Sequence, residues 1–324
     1  MNVIEVRDLK RDYYTNLGVI KRDKKVINAL KGISFNVKKG EIFGLLGPNG
    51  AGKTSTIKIL TTLLTPTSGE AKVLGYNCFG EEKQLRRRIN FIFGGERSLY
   101  WRLSAWDNLS YFCDLYNIDE KIKKERISKL LELVGLSEKA HFKVESFSKG
   151  MKQRLQIARG LVNDPEILFL DEPTIGLDPS GAKILRDIIR RLSNDGKTII
   201  LTTHYMHEAD ELCNRIAVIN KGKIIALDKP ENLKKDIDGS VIEVKMLTLN
   251  NELLSSLREI DKVSNISVKE NNQTYILNIS CKDARRTITS INEKLSNHKV
   301  LSMGMRETTL EDVYLKMIEG VQNE

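Results

Sequence analysis

Apolar residues recur in short alternating pieces over the first forty positions: Val3-Ile4-Glu5-Val6, then Val26-Ile27-Asn28-Ala29-Leu30, then Ile33-Ser34-Phe35-Asn36-Val37. That near-alternation predicts an antiparallel sheet. The run over residues 41–46 is continuously apolar after Glu41 and reads as a buried strand, and residues 55–60 read as the first turns of a helix. Thr65-Pro66-Thr67-Ser68-Gly69 is a turn, with strands expected at residues 71–75 and 89–93. Across residues 106–163 the spacing of apolar positions becomes three and four, predicting helices at 106–116 and 121–134. Ser148 stands where an N-cap belongs, ahead of a helix through residues 151–159. Strands then alternate with helices: strands at 167–170, 198–201 and 216–219, helices at 180–192 and 205–213. Such alternation implies a parallel sheet covered on both faces. Lys229-Pro230-Glu231 marks a boundary, and residues 240–319 read as a second unit of βαββαβ order followed by a helix from Thr309. That order suggests a ferredoxin-like fold.

The 324 residues suffice for one large domain and a small one, and 40% hydrophobic with 29% charged residues is a globular composition. No apolar run approaches the ~18–20 residues of a membrane span. Met1-Asn2-Val3-Ile4-Glu5 has neither the basic start nor the apolar core of a signal peptide. The expectation is a soluble chain whose membrane partner, if it has one, is a separate polypeptide. Cys78, Cys113, Cys213 and Cys281 are widely separated and read as reduced packing residues; the four histidines show no metal-ligand spacing. Residues 231–324 carry 13 Lys and Arg against 15 Asp and Glu, a net −2, which leaves +11 of the total +9 on the first 230. A polyphosphate site accounts for some of that excess, and an anionic membrane face, nucleic acid or a plain solvated surface could account for the rest. Lys21-Arg22-Asp23-Lys24-Lys25 reads as a charged hairpin loop.

Between the strand ending at Leu46 and the helix that follows lies Gly47-Pro48-Asn49-Gly50-Ala51-Gly52-Lys53-Thr54, which fits the phosphate-binding pattern G-x-x-x-x-G-K-[ST]. Glycines let the backbone turn tightly so that its N–H groups converge on one phosphate chain. The helix N-terminus adds about half a positive charge at the same spot. Lys53 is expected to neutralise the β- and γ-phosphates and Thr54 to hold Mg²⁺, within a binding segment that runs on to Ser55. A Gly-rich turn with a chance lysine is the alternative, and the strand before and helix after disfavour it.

A second acidic element lies 118 residues after Lys53, where Ile167-Leu168-Phe169-Leu170 ends in Asp171-Glu172. Strand alternation sends the two carboxylates in different directions: Asp171 toward the metal shell, Glu172 toward the γ-phosphate, where it can polarise water. A positioned base contributes ~10²–10⁴-fold to rate. Thr202-Thr203-His204 ends the next strand, so His204 is expected on the same sheet edge, able to touch the γ-phosphate. His207, on the following helix, reads as a surface residue. Tyr13 and Tyr14 sit between the first strands, where an aromatic could stack on an adenine ring or simply pack at a strand end.

Taken in order, the P-loop, Ser146-Phe147-Ser148-Lys149-Gly150-Met151-Lys152-Gln153-Arg154, the Asp171-Glu172 strand, Gly176-Leu177-Asp178-Pro179 and His204 resemble the ATPase subunit of an ABC transporter over residues 1 to about 230. The resemblance implies an α/β architecture. A P-loop NTPase domain with a RecA-like core, an N-terminal antiparallel β subdomain and an inserted helical subdomain at about 97–162 would fill residues 1–230, with a small α+β ferredoxin-like accessory or regulatory domain at 240–324. It also implies a head-to-tail homodimer with two ATP at the interface. Ser148 and Gly150 of one copy would close on the γ-phosphate held by the other's P-loop, and Asp178 would sit in the loop linking the two sites. Tyr13, four residues after Leu9, matches the family's adenine-stacking aromatic. By the same likeness Glu172 and His204 are catalytic, Thr54 and Asp171 hold the metal, and the cofactors are ATP and Mg²⁺. The partner would be an integral-membrane permease in a separate chain, with no nucleic acid, placing the subunit in the cytoplasm, peripheral on the inner face of the cell membrane.

Two positions depart from the family pattern. The signature is usually Leu-Ser-Gly-Gly-Gln; here Lys149 replaces the first glycine and Met151 the glutamine. The loop after the strand at 89–93 usually carries a glutamine that meets Mg²⁺ and the permease, whereas the matching position is Gly95, followed by Glu96. A glycine cannot ligate through a side chain, so that role is not carried over. Residues 94–104, 203–210 and 308–315 are similar to the ATPases of bacterial drug, antibiotic and sodium exporters. Two other readings compete. An ABC-type ATPase acting on nucleic acid or ribosomes fits the +11 but lacks a second ATPase copy, a long coiled coil and an aromatic-basic surface pattern. A nucleoside kinase or GTPase is disfavoured by the signature segment and His204.

Overall fold

The computed structural model describes the chain apart from residues 18–22, 95–98, 236–239, 262, 272–273, 282 and 323–324. Lys21 and Arg22 of the expected hairpin loop, and the loop positions Gly95 and Glu96, lie outside the described residues. The chain divides into two compact units, Met1–Lys229 and Pro230–Glu324.

In the first unit, β1 (Asn2–Leu17) and β2 (Asp23–Lys38) form a long antiparallel pair. They absorb the three short strands expected from the pattern. The apparent breaks are register shifts between Val6 and Leu9, between Leu9 and Lys10 and between Arg11 and Asp12, with Asp8 at φ 44°. A bulge keeps a strand going while disturbing its alternation, which is why the period-2 signal failed there. After β3 (Ile42–Leu46) and α1 (Lys53–Leu60), β4 (Ser68–Val73) and β5 (Tyr76–Asn77) complete a sheet of order β2-β1-β4-β5. The strand expected to reach residue 75 stops at Val73, because Leu74 and Gly75 turn with φ 53° and 84°.

The central sheet gathers β3 with β6 (Ile89–Ile92), β7 (Ile167–Asp171), β8 (Thr198–Thr203), β9 (Arg215–Asn220) and β10 (Lys223–Asp228) in the order β10-β9-β3-β8-β7-β6. All pairings are parallel except β9 with β10. All five residues of β3 and all six of β8 are buried, the expected signature of strands flanked on both sides. β10 escaped the sequence reading because its residues are half-exposed and its pattern weak. The short α2 (Glu82–Arg86) was missed too; Arg86 fastens it by donating to the Thr62 hydroxyl at 2.7 Å.

The helical stretch is α3 (Ala105–Leu115), α4 (Glu120–Leu133) and α5 (Lys149–Gly160). Ser104, Asp119 and Ser148 cap them through side-chain oxygens. α6 (Pro179–Asn194) and α7 (Met206–Leu212) follow β7 and β8. One apolar core joins the two sheets, with Ile4, Leu9, Leu30 and Ile33 from the first and Phe43, Phe169 and Ile200 from the second, none more than 1% exposed. Among the described residues no helix is long and apolar enough to cross a membrane.

The second unit runs α8 (Pro230–Lys235), β11 (Ser240–Met246), α9 (Asn251–Arg258), β12 (Val263–Asn271), β13 (Thr274–Cys281), α10 (Ala284–Leu295), β14 (Val300–Arg306) and α11 (Leu310–Gln322). Its strands lie in the order β12-β13-β11-β14 and every pairing is antiparallel. Ile242, Val244, Leu257, Leu277, Ile279 and Ile291 fill its core. Arg306 clamps α11 to the sheet, donating to both carboxylate oxygens of Asp312 at 2.6 and 2.9 Å and to Asn278 Oδ1 at 3.0 Å.

Both tryptophans, Trp101 and Trp106, belong to the first unit, so their fluorescence reports its unfolding. Phe169→Ala empties the middle of its core and is expected to cost about 3–5 kcal/mol in urea unfolding followed by that signal. A loss below about 1 kcal/mol would mean Phe169 does not pack as described.

Candidate functional site

β3, β7 and β8 run side by side and parallel, with Leu46 opposite Thr203 and Asp171 opposite Thr202. The residues leaving those strands, Gly47, Glu172 and His204, therefore emerge at one edge of the sheet, where ligands of such sheets bind. Gly47 is held against the neighbouring strand: a Cβ there would stand 2.1 Å from the Ile219 carbonyl oxygen. Gly52 has φ 114°, and a Cβ on it would meet the Ala29 carbonyl at 2.7 Å. Gly52 also precedes α1 without a side chain to cap it, leaving the helix's leading N–H groups for an anion.

Lys53 is 5% exposed, and its ammonium donates to the carbonyls of Gly47 at 2.7 Å and Pro48 at 3.2 Å. It lies 3.7 Å from Glu172 Oε1. Burial pulls its pKa below the ordinary lysine value, while Glu172 and Asp171 push it back up. Thr54 donates its hydroxyl to Asp171 Oδ2 at 3.2 Å, and the Thr202 hydroxyl donates to Asp171 Oδ1. A hydroxyl and a carboxylate in contact are the hard oxygen donors that suit Mg²⁺.

Asp171 and Glu172 do face different partners, but strand alternation is only part of the cause. β7 ends at Asp171, and Glu172 turns away in the left-handed region at φ 49°, its N–H held by the Thr202 carbonyl and hydroxyl, each at 3.1 Å. A non-glycine residue in that region is strained, and such strain gathers at functional sites. His204 Nδ1 lies 3.2 Å from Glu172 Oε1, off the line of a hydrogen bond, and its ring leans on Tyr205 at 4.1 Å between centroids.

Tyr13 comes to the same place from β1. Its hydroxyl is 3.2 Å from Ser55 Oγ, and the Arg11 guanidinium sits 4.8 Å over its ring. Tyr13, Ile27, Ala29, Pro48, Asn49 and Gly50 wall a cleft of about 280 Å³ that reaches Lys53 and Glu172. Tyr14 is 68% exposed and takes no part in it. Ala51 is buried behind the loop, its N–H bonded to the Pro48 carbonyl.

The signature residues stand elsewhere. Ser148 caps α5, accepting from the Met151 N–H at 3.2 Å, and is exposed. A Cβ on Gly150 would meet nothing within 4 Å. Among the described residues neither bonds to the P-loop of its own chain. Asp178 caps α6 by accepting from the Gly181 N–H at 3.4 Å, with Pro179 in the first helical position. Lys149 turns toward its own chain: its ammonium sits 2.1 Å from where a Cβ on Gly176 would be, and Gly176 itself has φ 67°. That close approach was not foreseen, nor was Thr202 as a partner of Asp171. Two threonines ending an otherwise apolar strand were the available signal for the latter.

A P-loop with a strand-borne carboxylate pair at the ends of parallel strands defines a nucleoside triphosphatase. The family model described as "ABC transporter" matches residues 30–175. The linearmycin resistance ATP-binding protein LnrL of Bacillus subtilis is 36% identical over 297 residues, covering 91% of this chain and 94% of that protein. The daunorubicin/doxorubicin resistance ATP-binding protein DrrA of Streptomyces peucetius is 33% identical, covering 89% and 87%. Among solved structures, a dimeric ATP-binding cassette in a post-hydrolysis state bound to ADP and Pi superposes with a TM-score of 0.61 at 27% identity, over 70% of this chain and 98% of that one. The chain belongs to the ABC transporter family, as an ATP-binding, ATP-hydrolysing subunit.

Because the Gly47 contact is with backbone, it cannot yield cheaply. Gly47→Ala is expected to weaken ATP binding by roughly 10-fold or more with the fold intact, read by calorimetric titration alongside circular dichroism. Unchanged affinity would show that the loop does not need its hold on β9.

Proposed function

We propose that this subunit works as a head-to-tail homodimer that binds and hydrolyses two ATP at its interface, and drives a separate integral-membrane permease. The observation that carries the reading is the meeting of Lys53, Thr54, Asp171, Glu172 and His204 at one sheet edge. Tyr13 stacks on the adenine at the mouth of the cleft. Gly47 to Ser55 wrap the phosphates, and Lys53 exchanges its two loop carbonyls for β- and γ-phosphate oxygens. Thr54 and Asp171 hold Mg²⁺, which neutralises phosphate charge when bound. Glu172 orients and polarises the attacking water, and its 3.2 Å neighbour His204 contacts the γ-phosphate.

The partner copy completes each site. The exposed, capped tip of α5 at Ser148 and Gly150 presents a hydroxyl and helix-end N–H groups, the arrangement that favours an anion. Asp178, capping the next helix, links the two sites. The dimeric state of the related cassette supports this pairing. Residues 1–230 form the ATPase domain, its helical subdomain at about 97–162, and residues 240–324 form an accessory domain that regulates the ATPase or steadies the dimer. The resistance functions in the relatives' names favour export of a drug-like, peptide or lipid substrate, with the subunit peripheral on the cytoplasmic membrane face.

Glu172→Gln keeps the shape of the side chain but not its basicity. The variant is expected to bind ATP normally, to lose roughly 100-fold or more in phosphate release, and to elute as a dimer in Mg·ATP on size exclusion. Near-normal turnover would remove Glu172 from the role. Affinity capture from solubilised membranes is expected to recover a multi-span protein; recovery of RNA or DNA instead would favour the nucleic-acid reading.

A further inference from the structure

Glu208 lies four residues beyond His204, in the first turn of α7, 3% exposed. Among the described residues neither of its carboxylate oxygens is in a hydrogen bond. Native proteins leave few buried polar groups unsatisfied, and each one calls for a reason. The groups that bear on it come from several elements: Thr203 at the end of β8, Thr174 on the loop that follows Glu172, Arg186 on α6, and His204 and Cys213 at either end of α7. Burial pushes its carboxyl pKa up, and the two hydroxyls, Arg186 and His204 pull the other way. Arg186 also lies 2.7 Å, through Nε, from Glu211 Oε2, so its one charge is shared between the two acids. Two of the groups acting on Glu208 are buried hydroxyls, 1% and 7% exposed, one on each of the segments that carry His204 and Glu172. A hydroxyl rotates to donate to a carboxylate or to accept from a carboxylic acid, so both hydroxyls suit Glu208 in either protonation state.

We propose that Glu208 is a positioning residue for hydrolysis: its buried carboxyl acts on the Thr203 and Thr174 hydroxyls together, and so sets the separation between His204 and Glu172. It touches neither nucleotide nor water. The inference rests on Glu172 and His204 forming the hydrolytic pair.

The test is steady-state phosphate release by the purified full chain in Mg·ATP, per folded molecule. Glu208→Ala is expected to lower kcat by roughly 10-fold or more, since small misplacements of catalytic groups are costly, while KM for ATP moves less than about 3-fold. Glu208→Gln, which keeps size and hydrogen-bonding capacity, is expected to recover kcat to within about 3-fold of the unaltered chain. Should Glu208→Ala not fold, Thr174→Val decides instead, with an expected fall in kcat of about 5-fold at constant KM. The inference is overturned if kcat stays within about 2-fold in Glu208→Ala or, failing that, in Thr174→Val, or if Glu208→Gln is as slow as Glu208→Ala. Glu172→Gln separates the two layers. Normal turnover there overturns the hydrolytic pair and this inference with it. Inactive Glu172→Gln beside normal Glu208→Ala overturns this inference alone.

Discussion

A buried ammonium governs this site. Lys53 is held at 5% exposure, and what neutralises it inside its own chain is incomplete: two carbonyl dipoles and a carboxylate 3.7 Å away. Burial disfavours its charge, and the neighbouring carboxylates restore it only in part. An anion brought between Lys53 and the uncapped start of α1 would relieve that imbalance, which is what the proposed polyphosphate site asks of this loop. The parallel strands make the position possible. With β3, β7 and β8 in register, the lysine's loop, the acidic pair and the histidine must share an edge. A one-residue slip in β7 would turn Asp171 away from Thr54 and break the arrangement.

Carboxylates at that edge are kept apart by backbone rather than by distance along the sheet. Asp171 ends its strand with Thr54 and Thr202 on its oxygens, while Glu172 leaves in the left-handed region. The Thr202 main chain and hydroxyl hold the Glu172 N–H there. One threonine therefore serves both acids, bonding the first through its hydroxyl and fixing the backbone of the second. That sharing explains how two adjacent carboxylates take separate partners in a site this small.

Much of this was legible in the chain. The P-loop, the acidic strand and His204 carry their chemistry in local order, and the parallel sheet follows from strands alternating with helices. What escaped the reading has identifiable causes. The bulges at Asp8 and near Lys10 spoiled the alternation that marks a strand, so β1 and β2 read as fragments. β10 is half-exposed and gave no period. Thr202 bonding Asp171, and Tyr13 meeting Ser55, are contacts across 31 and 42 residues of sequence, which spacing alone cannot reveal. Glu208 falls within residues 203–210, whose likeness to exporter ATPases gives it no role, and only the fold shows that it is buried.

Lys149 shows how a departure from a family pattern is answered elsewhere in the same chain. A lysine in the first turn of α5 opposes the helix dipole, which favours negative charge there. Its ammonium does not stay at the helix tip but reaches across to Gly176, occupying the space a Cβ would need. Two demands therefore fall on position 176, a left-handed backbone at φ 67° and room for a neighbouring cation, and glycine meets both. The tip itself remains open: Ser148 is exposed and Gly150 faces empty space. The positive charge added at 149 is thus drawn toward the loop that bears Asp178, and the helix end keeps a small, uncluttered surface.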